Sequence, residues 1–143
     1  MKRREARELV LKILYAWDVG KNDADQVMEQ LFNEENTAES GRVFCRSLVN
    51  GVITNLEAID KLISKYSTDW PLDRMAVVDR NLMRIALFEI LFSDGVPNAV
   101  AVNEAIEIAK SYGSEESPRF VNGILGNIIK DLSQIKAELK GET

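Results

Sequence analysis

The sequence predicts an all-α fold of about six to seven helices, packed as two antiparallel helical bundles. Apolar residues recur at the i, i+3, i+4, i+7 spacing of a helix in almost every segment between turns. The alternating pattern of a strand is missing from the sequence. Apolar residues make up 45% of the chain, enough for a substantial core. We therefore expect a single domain over residues 1–143, with an N-terminal helical half at residues 1–69 and a C-terminal half at residues 70–143.

The N-terminal half is predicted to contain three helices. The first covers residues 3–19, and its buried stripe comprises Ala6, Leu9, Val10, Ile13, Leu14 and Trp17. Asp23 is placed to cap a second helix that ends near residue 33. A long third helix is expected over residues 39–65, with Gly51 at its middle packed closely against the first helix. Its apolar stripe comprises Val43, Phe44, Leu48, Val52, Leu56, Ile59, Leu62 and Ile63.

Pro71 ends the first half, because the residue before a proline is driven out of the α region. The fourth helix, residues 75–93, is apolar nearly all the way round, which is typical of a central helix. Charged groups on such a helix must be paired or must meet a partner. We expect internal ion pairs for Arg84 and Glu89. Asp79 and Arg80 lie near the helix start, where contact with a partner is more accessible.

The last two helices meet at a tight joint, defined here as residues 112–120. A helix over residues 98–112 should end at Gly113 in a left-handed conformation. Ser117 and Pro118 are a typical N-cap and first residue for the final helix. Gly123 and Gly126 lie inside that helix, where each costs about 1 kcal/mol, so another backbone or a ligand should come close. The apolar stripe comprises Val121, Ile124, Leu125, Ile128, Leu132 and Ile135, and the polar tail beyond it should fray.

The composition argues against catalysis and against a membrane protein. The chain has no histidine and one cysteine, Cys45, which removes the common triads, the commonest metal ligand and any internal disulfide. We therefore predict no catalytic residues, no metal site and no cofactor, with Cys45 as a small core residue. The charged N-terminus lacks the apolar region of a secretory signal, and no apolar run is long enough to span a bilayer. A cytoplasmic location follows as an expectation.

The net charge of −5 at first argues against nucleic acid, but the charge is unevenly distributed. The first twelve residues contain two carboxylates against five cations, which are Lys2, Arg3, Arg4, Arg7 and Lys12. The arginines cluster at the start of a helix, where the helix dipole disfavours cations. Two interpretations follow: an anion binds there, or the terminus is simply solvated and frayed.

Several segments resemble the bacterial transcription antitermination factor family NusB. They are residues 84–89 (RIALFE), 101–110 (AVNEAIEIAK) and 120–125 (FVNGIL), together with residues 4–7 and 14–15, in the family's order and spacing. The resemblance implies a non-catalytic RNA-binding adaptor. Together with NusE, a ribosomal small-subunit protein, it would bind the boxA sequence of nascent ribosomal RNA. The resulting complex makes RNA polymerase resist termination. A homodimer is also compatible with the resemblance, and the sequence leaves the oligomeric state open.

The resemblance also implies functional residues. The family's arginine-rich N-terminus maps onto Lys2, Arg3, Arg4 and Arg7. Its second RNA region is the joint, and maps onto Tyr112, Glu116, Ser117, Arg119 and Phe120. The surface for NusE implies Tyr15, Asp79 and the adjacent Arg80. Arginine binds phosphate bidentately and stacks on bases, and aromatic side chains stack on unpaired bases. Phe120 is also close to the core stripe, so a packing role is the alternative for it.

The residues and the resemblance together leave three alternative functions. A helical protein-interaction module would bind an acidic protein through the basic end and show no preference for boxA over scrambled RNA. An RNA-modifying enzyme is suggested by NusB-like domains fused to RNA cytosine methyltransferases. The chain has no Gly-rich cofactor loop and no Pro-Cys nucleophile motif. A DNA-binding helix-turn-helix would need a basic recognition helix, and none of the predicted second helices is basic.

Overall fold

The computed structural model describes residues 1–141, which form eight α-helices and one short 3-10 turn. The helices are α1 (Arg3–Gly20), α2 (Ala24–Glu34), α3 (Glu39–Thr54), α4 (Leu56–Tyr66), α5 (Val77–Phe92), α6 (Asn98–Tyr112), α7 (Ser117–Lys130) and α8 (Leu132–Gly141). The 3-10 turn, Leu72–Arg74, connects α4 to α5. No strand occurs within residues 1–141, so the predicted all-α class is confirmed.

The helix count exceeds the prediction because two long helices each break at one residue. Asn55, with φ −104° and ψ 18°, separates α3 from α4. Its side-chain amide donates to the Gly51 carbonyl at 2.8 Å, which competes with continuation of the helix. Asp131 separates α7 from α8 in a similar conformation. The expected fraying after Ile135 is also wrong, since α8 continues to Gly141 and packs Leu139 against the core.

Helix α5 is the centre of the molecule, as its sequence predicted. Every residue from 81 to 90 is buried. Five helices pack on it, namely α1, α3, α4, α6 and α7. One continuous hydrophobic core runs from Ala6 on α1 to Ile135 on α8 and includes residues of both halves. A charged side chain that points from a neighbouring helix towards α5 therefore enters a dry environment, where it needs a partner.

Two details of packing differ from the prediction and one agrees. Gly51 packs against Phe88 of α5 and not against α1: a Cβ built at Gly51 would lie 2.7 Å from the Phe88 Cδ1. Val43 is exposed, although it lies in the predicted stripe of α3. Asp23 caps α2 as predicted, accepting from the backbone N–H of Asp25 at 2.8 Å.

Cys45 is fully buried on α3, as predicted for a core residue. Its thiol donates to the Ala6 carbonyl oxygen at 3.5 Å. Burial raises the pKa of Cys45 to about 11, so the thiol stays protonated at neutral pH and lacks the thiolate that reacts as a nucleophile.

None of the helices within residues 1–141 has both the length and the apolarity that a membrane span requires.

Candidate functional site

Arg7 is buried inside the protein, which corrects the expectation that it contacts RNA. Only 5% of the residue is exposed. Its Nε and Nη2 each donate to one oxygen of Glu89 on α5 at 2.8 Å, and Nη1 lies 3.6 Å from Glu104 on α6. The hydrogen bond to Glu89 outweighs desolvation and raises the pKa of Arg7. Its donors are directed at internal carboxylates, so a phosphate has no access to them.

Arg4 lies one turn earlier on α1 and has a mixed role. Its Nη2 is 2.6 Å from Glu104 Oε2, and its Nε donates to the same carboxylate. This hydrogen bond lowers the pKa of Glu104 below its ordinary value. Half of the Arg4 side chain is nevertheless exposed. Arg4 is therefore anchored on α6 with half of its side chain accessible to solvent.

Lys2 and Arg3 are cationic side chains of this end that have no carboxylate partner within residues 1–141. Both are exposed. The Arg3 guanidinium carbon lies 4.0 Å from the centroid of the Phe44 ring on α3, a cation–π contact. Lys2, Arg3 and the exposed part of Arg4 form what we name the N-terminal basic tract.

The joint differs from its prediction in how the chain turns. Gly113 has φ −94° and ψ −171°, an extended conformation and not a left-handed one. Glycine is needed because of crowding: a Cβ there would lie 2.5 Å from Ser117 Cβ and 2.9 Å from the Ala109 carbonyl oxygen. Ser117 is the first residue of α7, and Glu116 is the N-cap. The Ser117 hydroxyl accepts from the Ser114 N–H at 2.9 Å instead of capping the helix.

Three of the five predicted joint residues are exposed. They are Tyr112 at the end of α6, Glu116 in the turn and Arg119 in the first turn of α7. Ser117 is fully buried, which argues against the direct RNA contact expected of it. Phe120 is half-buried and packs against the core, which favours the packing alternative.

The basic tract and the joint lie apart along α6. Glu104, which holds Arg4, precedes Tyr112 by eight residues of the same helix. At 1.5 Å per residue, this is about 12 Å along the helix axis. A strand of nucleic acid that contacts both regions must therefore extend along the molecule by about that distance.

The residues expected to contact NusE differ in their exposure to solvent. Tyr15 is exposed on α1, as a contact residue must be. Asp79 is only 6% exposed, and its Oδ1 has no hydrogen-bond partner among residues 1–141. Burial raises the pKa of Asp79, and the nearby Ser117 hydroxyl partly opposes this shift. Arg80 is half-buried and holds Asp18 through two hydrogen bonds of 2.7 and 2.9 Å. Asp79 and Arg80 are therefore internal, contrary to the expectation.

Replacing glycine by alanine should change the stability of the protein in opposite directions at the joint and in α7. Gly113→Ala is expected to lower the free energy of unfolding by about 1–3 kcal/mol, because the new methyl group overlaps Ser117 and the Ala109 carbonyl. Gly123→Ala is expected to raise it by about 0.5–1 kcal/mol, since a Cβ there meets nothing within 4 Å. Urea denaturation followed by circular dichroism measures both, and changes of the same sign would contradict the packing described.

The open space at Gly123 and Gly126 also corrects an expectation. A Cβ at either position would meet no atom within 4 Å. No neighbouring element within residues 1–141 comes within 4 Å of the added Cβ, so close packing of another backbone does not explain these glycines. A close approach by a ligand at this face stays a prediction.

Comparison with known proteins decides the family. A model of the NusB family matches residues 4–130. The chain belongs to the NusB family. It is 46% identical over 144 residues to the transcription antitermination protein NusB of Pelotomaculum thermopropionicum, covering 99% of this chain and 98% of that protein. This membership agrees with the resemblance that residues 84–89, 101–110 and 120–125 predicted.

Solved NusB structures share the fold. The T. maritima NusB structure matches with a TM-score of 0.85 and 41% identity, covering 92% of each chain. A crystal structure of the antitermination factors NusB and NusE in complex with dsRNA matches with a TM-score of 0.82 and 26% identity. That match covers 90% of this chain and 96% of the NusB-like chain. The helical arrangement described above is thus the NusB fold.

Proposed function

We propose that this chain is a non-catalytic transcription antitermination factor that binds boxA-type single-stranded RNA together with NusE. Family membership and the likeness to a NusB–NusE complex with RNA support the proposal. The observation that carries it is the N-terminal basic tract: Lys2 and Arg3 lack carboxylate partners on a chain whose net charge is −5. Cations left uncompensated on an acidic body favour a phosphate ligand at that place.

The exposed groups suggest how the RNA is held. Lys2, Arg3 and the accessible part of Arg4 bind phosphates near the start of α1, and Arg119 binds one near the joint. Tyr112 offers a ring for base stacking. With about four phosphate contacts, the logarithm of affinity should fall with the logarithm of salt concentration with a slope of about −3. Arg7 supports this surface from inside, by fixing α1 on α5 and α6.

Replacing one tract arginine tests the site. Arg3→Ala is expected to weaken RNA binding about tenfold and to reduce the salt slope by about 0.7, because one phosphate contact is lost. Fluorescence anisotropy with labelled boxA RNA, with NusE present, measures both quantities. Arg74→Ala removes the same charge from an exposed position on the 3-10 turn and is the matched control. Equal losses in the two variants would show that only overall charge matters.

The same titration separates the proposed function from a protein-interaction module. An antitermination factor should prefer boxA RNA over a scrambled oligonucleotide of equal length when NusE is present. A module that only contacts proteins should show no preference. Tyr15 is the exposed residue proposed to contact NusE, so Tyr15→Ala should weaken the NusE-dependent part of RNA binding and leave binding without NusE unchanged.

A further inference from the structure

A groove beside the N-terminal basic tract has, apart from Arg3 at its edge, no role in the function proposed so far. It lies between the start of α1, the middle of α3, the loop after α5 and the first half of α6, and its volume is about 550 Å³. Its lining includes Arg3, Phe44, Ser47, Val96, Pro97 and Val100. Glu89 and Glu104 also line it, and each is neutralised by an arginine of α1. The groove thus combines apolar walls, a hydroxyl and paired carboxylates.

The Phe44 ring forms a fixed wall of this groove. It packs against the hydrophobic core and is half-buried. The guanidinium of Arg3 lies over the ring at 4.0 Å, and that of Arg7 lies at 5.4 Å. Because Arg7 is itself held by Glu89, the ring contacts a rigid part of the protein. Arg3 is therefore held in place by stacking and needs no carboxylate to orient it.

The groove and its mouth suit different parts of a nucleotide. A planar guanidinium stacked on one face can stack on a second planar group, which for RNA is a base. Glu104, which at 13% exposure is the more accessible of the two carboxylates in the lining, can accept a hydrogen bond from a base N–H group. Lys2 and Arg3 at the mouth provide the positive charge that a phosphate needs.

We propose that this groove binds one unpaired RNA base, stacked on the Arg3–Phe44 pair, while its phosphate stays at the mouth. Phe44 acts as the platform that presents Arg3 and closes the groove on the side of α3. The proposal rests on the proposed RNA-binding function and adds a base-binding subsite to a surface so far described only by phosphate contacts.

Fluorescent bases in the RNA test this subsite. 2-Aminopurine is placed at each position of a boxA oligonucleotide in turn, and the wild-type protein with NusE is titrated in. One position is expected to show strong quenching on binding, because 2-aminopurine is quenched when it stacks. Phe44→Leu should remove that quenching and weaken binding about tenfold. Phe44→Tyr should keep both, since tyrosine retains the ring.

Salt dependence and an abasic RNA separate stacking from other effects. Phe44 is uncharged, so Phe44→Leu should leave the salt slope unchanged, unlike Arg3→Ala. Removing the base at the quenched position should weaken binding about tenfold for the wild type and hardly at all for Phe44→Leu. Phe92→Leu, a change of another partly exposed phenylalanine outside the groove, is the matched control.

The outcomes distinguish this subsite from the proposed function itself. Quenching that persists in Phe44→Leu, or an abasic effect that is equal in the two proteins, overturns the subsite while RNA binding stands. Wild-type protein that does not bind boxA RNA with NusE overturns both. If Phe44→Leu changes the helical content or the melting temperature, the test uses abasic RNA with the wild-type protein instead. In that test, the subsite is overturned if no single abasic position weakens binding.

Discussion

Arg7→Ala is expected to lower the free energy of unfolding by about 3–5 kcal/mol, which is the usual effect of leaving one member of a buried ion pair without its partner. The Glu89 side chain is only 2% exposed and receives both of its hydrogen bonds from Arg7 at 2.8 Å. Urea denaturation at pH 7 measures the change. Arg4→Ala is the control, because Arg4 pairs with Glu104 at the surface, where an ion pair contributes little to stability.

A double variant shows whether the loss comes from the unpaired charge. Arg7→Met with Glu89→Leu replaces the pair by apolar side chains of similar size, and it should recover most of the stability that Arg7→Ala loses. Similar losses for Arg4→Ala and Arg7→Ala would contradict the buried geometry of Arg7. Any loss of RNA affinity in Arg7→Ala must be corrected for the unfolded fraction before it is attributed to a contact.

Asp18→Ala is expected to destabilise the protein by about 3 kcal/mol, because three side chains of α5 donate four hydrogen bonds to this carboxylate. Arg80 donates at 2.7 and 2.9 Å, Arg84 at 2.8 Å and the Asn81 amide at 3.0 Å. Arg84 keeps its two bonds to Asp60, at 2.8 and 2.9 Å, when Asp18 is removed. Arg80 loses its one ion-pair partner within residues 1–141 and keeps a 3.3 Å hydrogen bond to the Leu72 carbonyl, so most of the loss should come from this residue. Thermal and urea unfolding measure the effect.

The same carboxylate makes stability depend on pH. Burial alone would raise the pKa of Asp18, but hydrogen bonds from Arg80 and Asn81 and the charge of Arg84 reverse this and lower it below 3.8. A lowered folded-state pKa contributes stability above the unfolded pKa that is lost as pH falls through the folded value. Wild type should therefore exceed Asp18→Asn in stability at pH 7, and the difference should shrink below about pH 4. A difference that stays constant down to pH 2 would contradict the ion pairing.

Much of the fold follows from the sequence because helical periodicity is a local property. The spacing of apolar residues placed α1 and α6 to within a residue, and the apolar circumference of α5 showed that it is central. The need for internal partners at Arg84 and Glu89 also followed, since a charge on a buried helix must be neutralised. The two single-residue helix breaks, at Asn55 and Asp131, could not be predicted from the sequence, because the apolar stripe continues through both.

The functional surface is where the sequence was least informative. Arg3, Arg4 and Arg7 look equivalent along the chain, yet one stacks on Phe44, one is anchored at the surface and one is buried. Three pairings were not predicted from the sequence: Glu104 with Arg4, Phe44 with Arg3, and Asp18 with Arg80 and Arg84.

The sequence by itself determined the helical class, the central helix, the family and the presence of a basic N-terminus on an acidic chain. Only the tertiary structure decided which of those cations face solvent. The carboxylates that pair with Arg7 and Arg4 lie 82 and 100 residues away, on α5 and α6. Periodicity gives the face of a helix that is buried, but the identity of the group opposite each side chain depends on how distant helices pack.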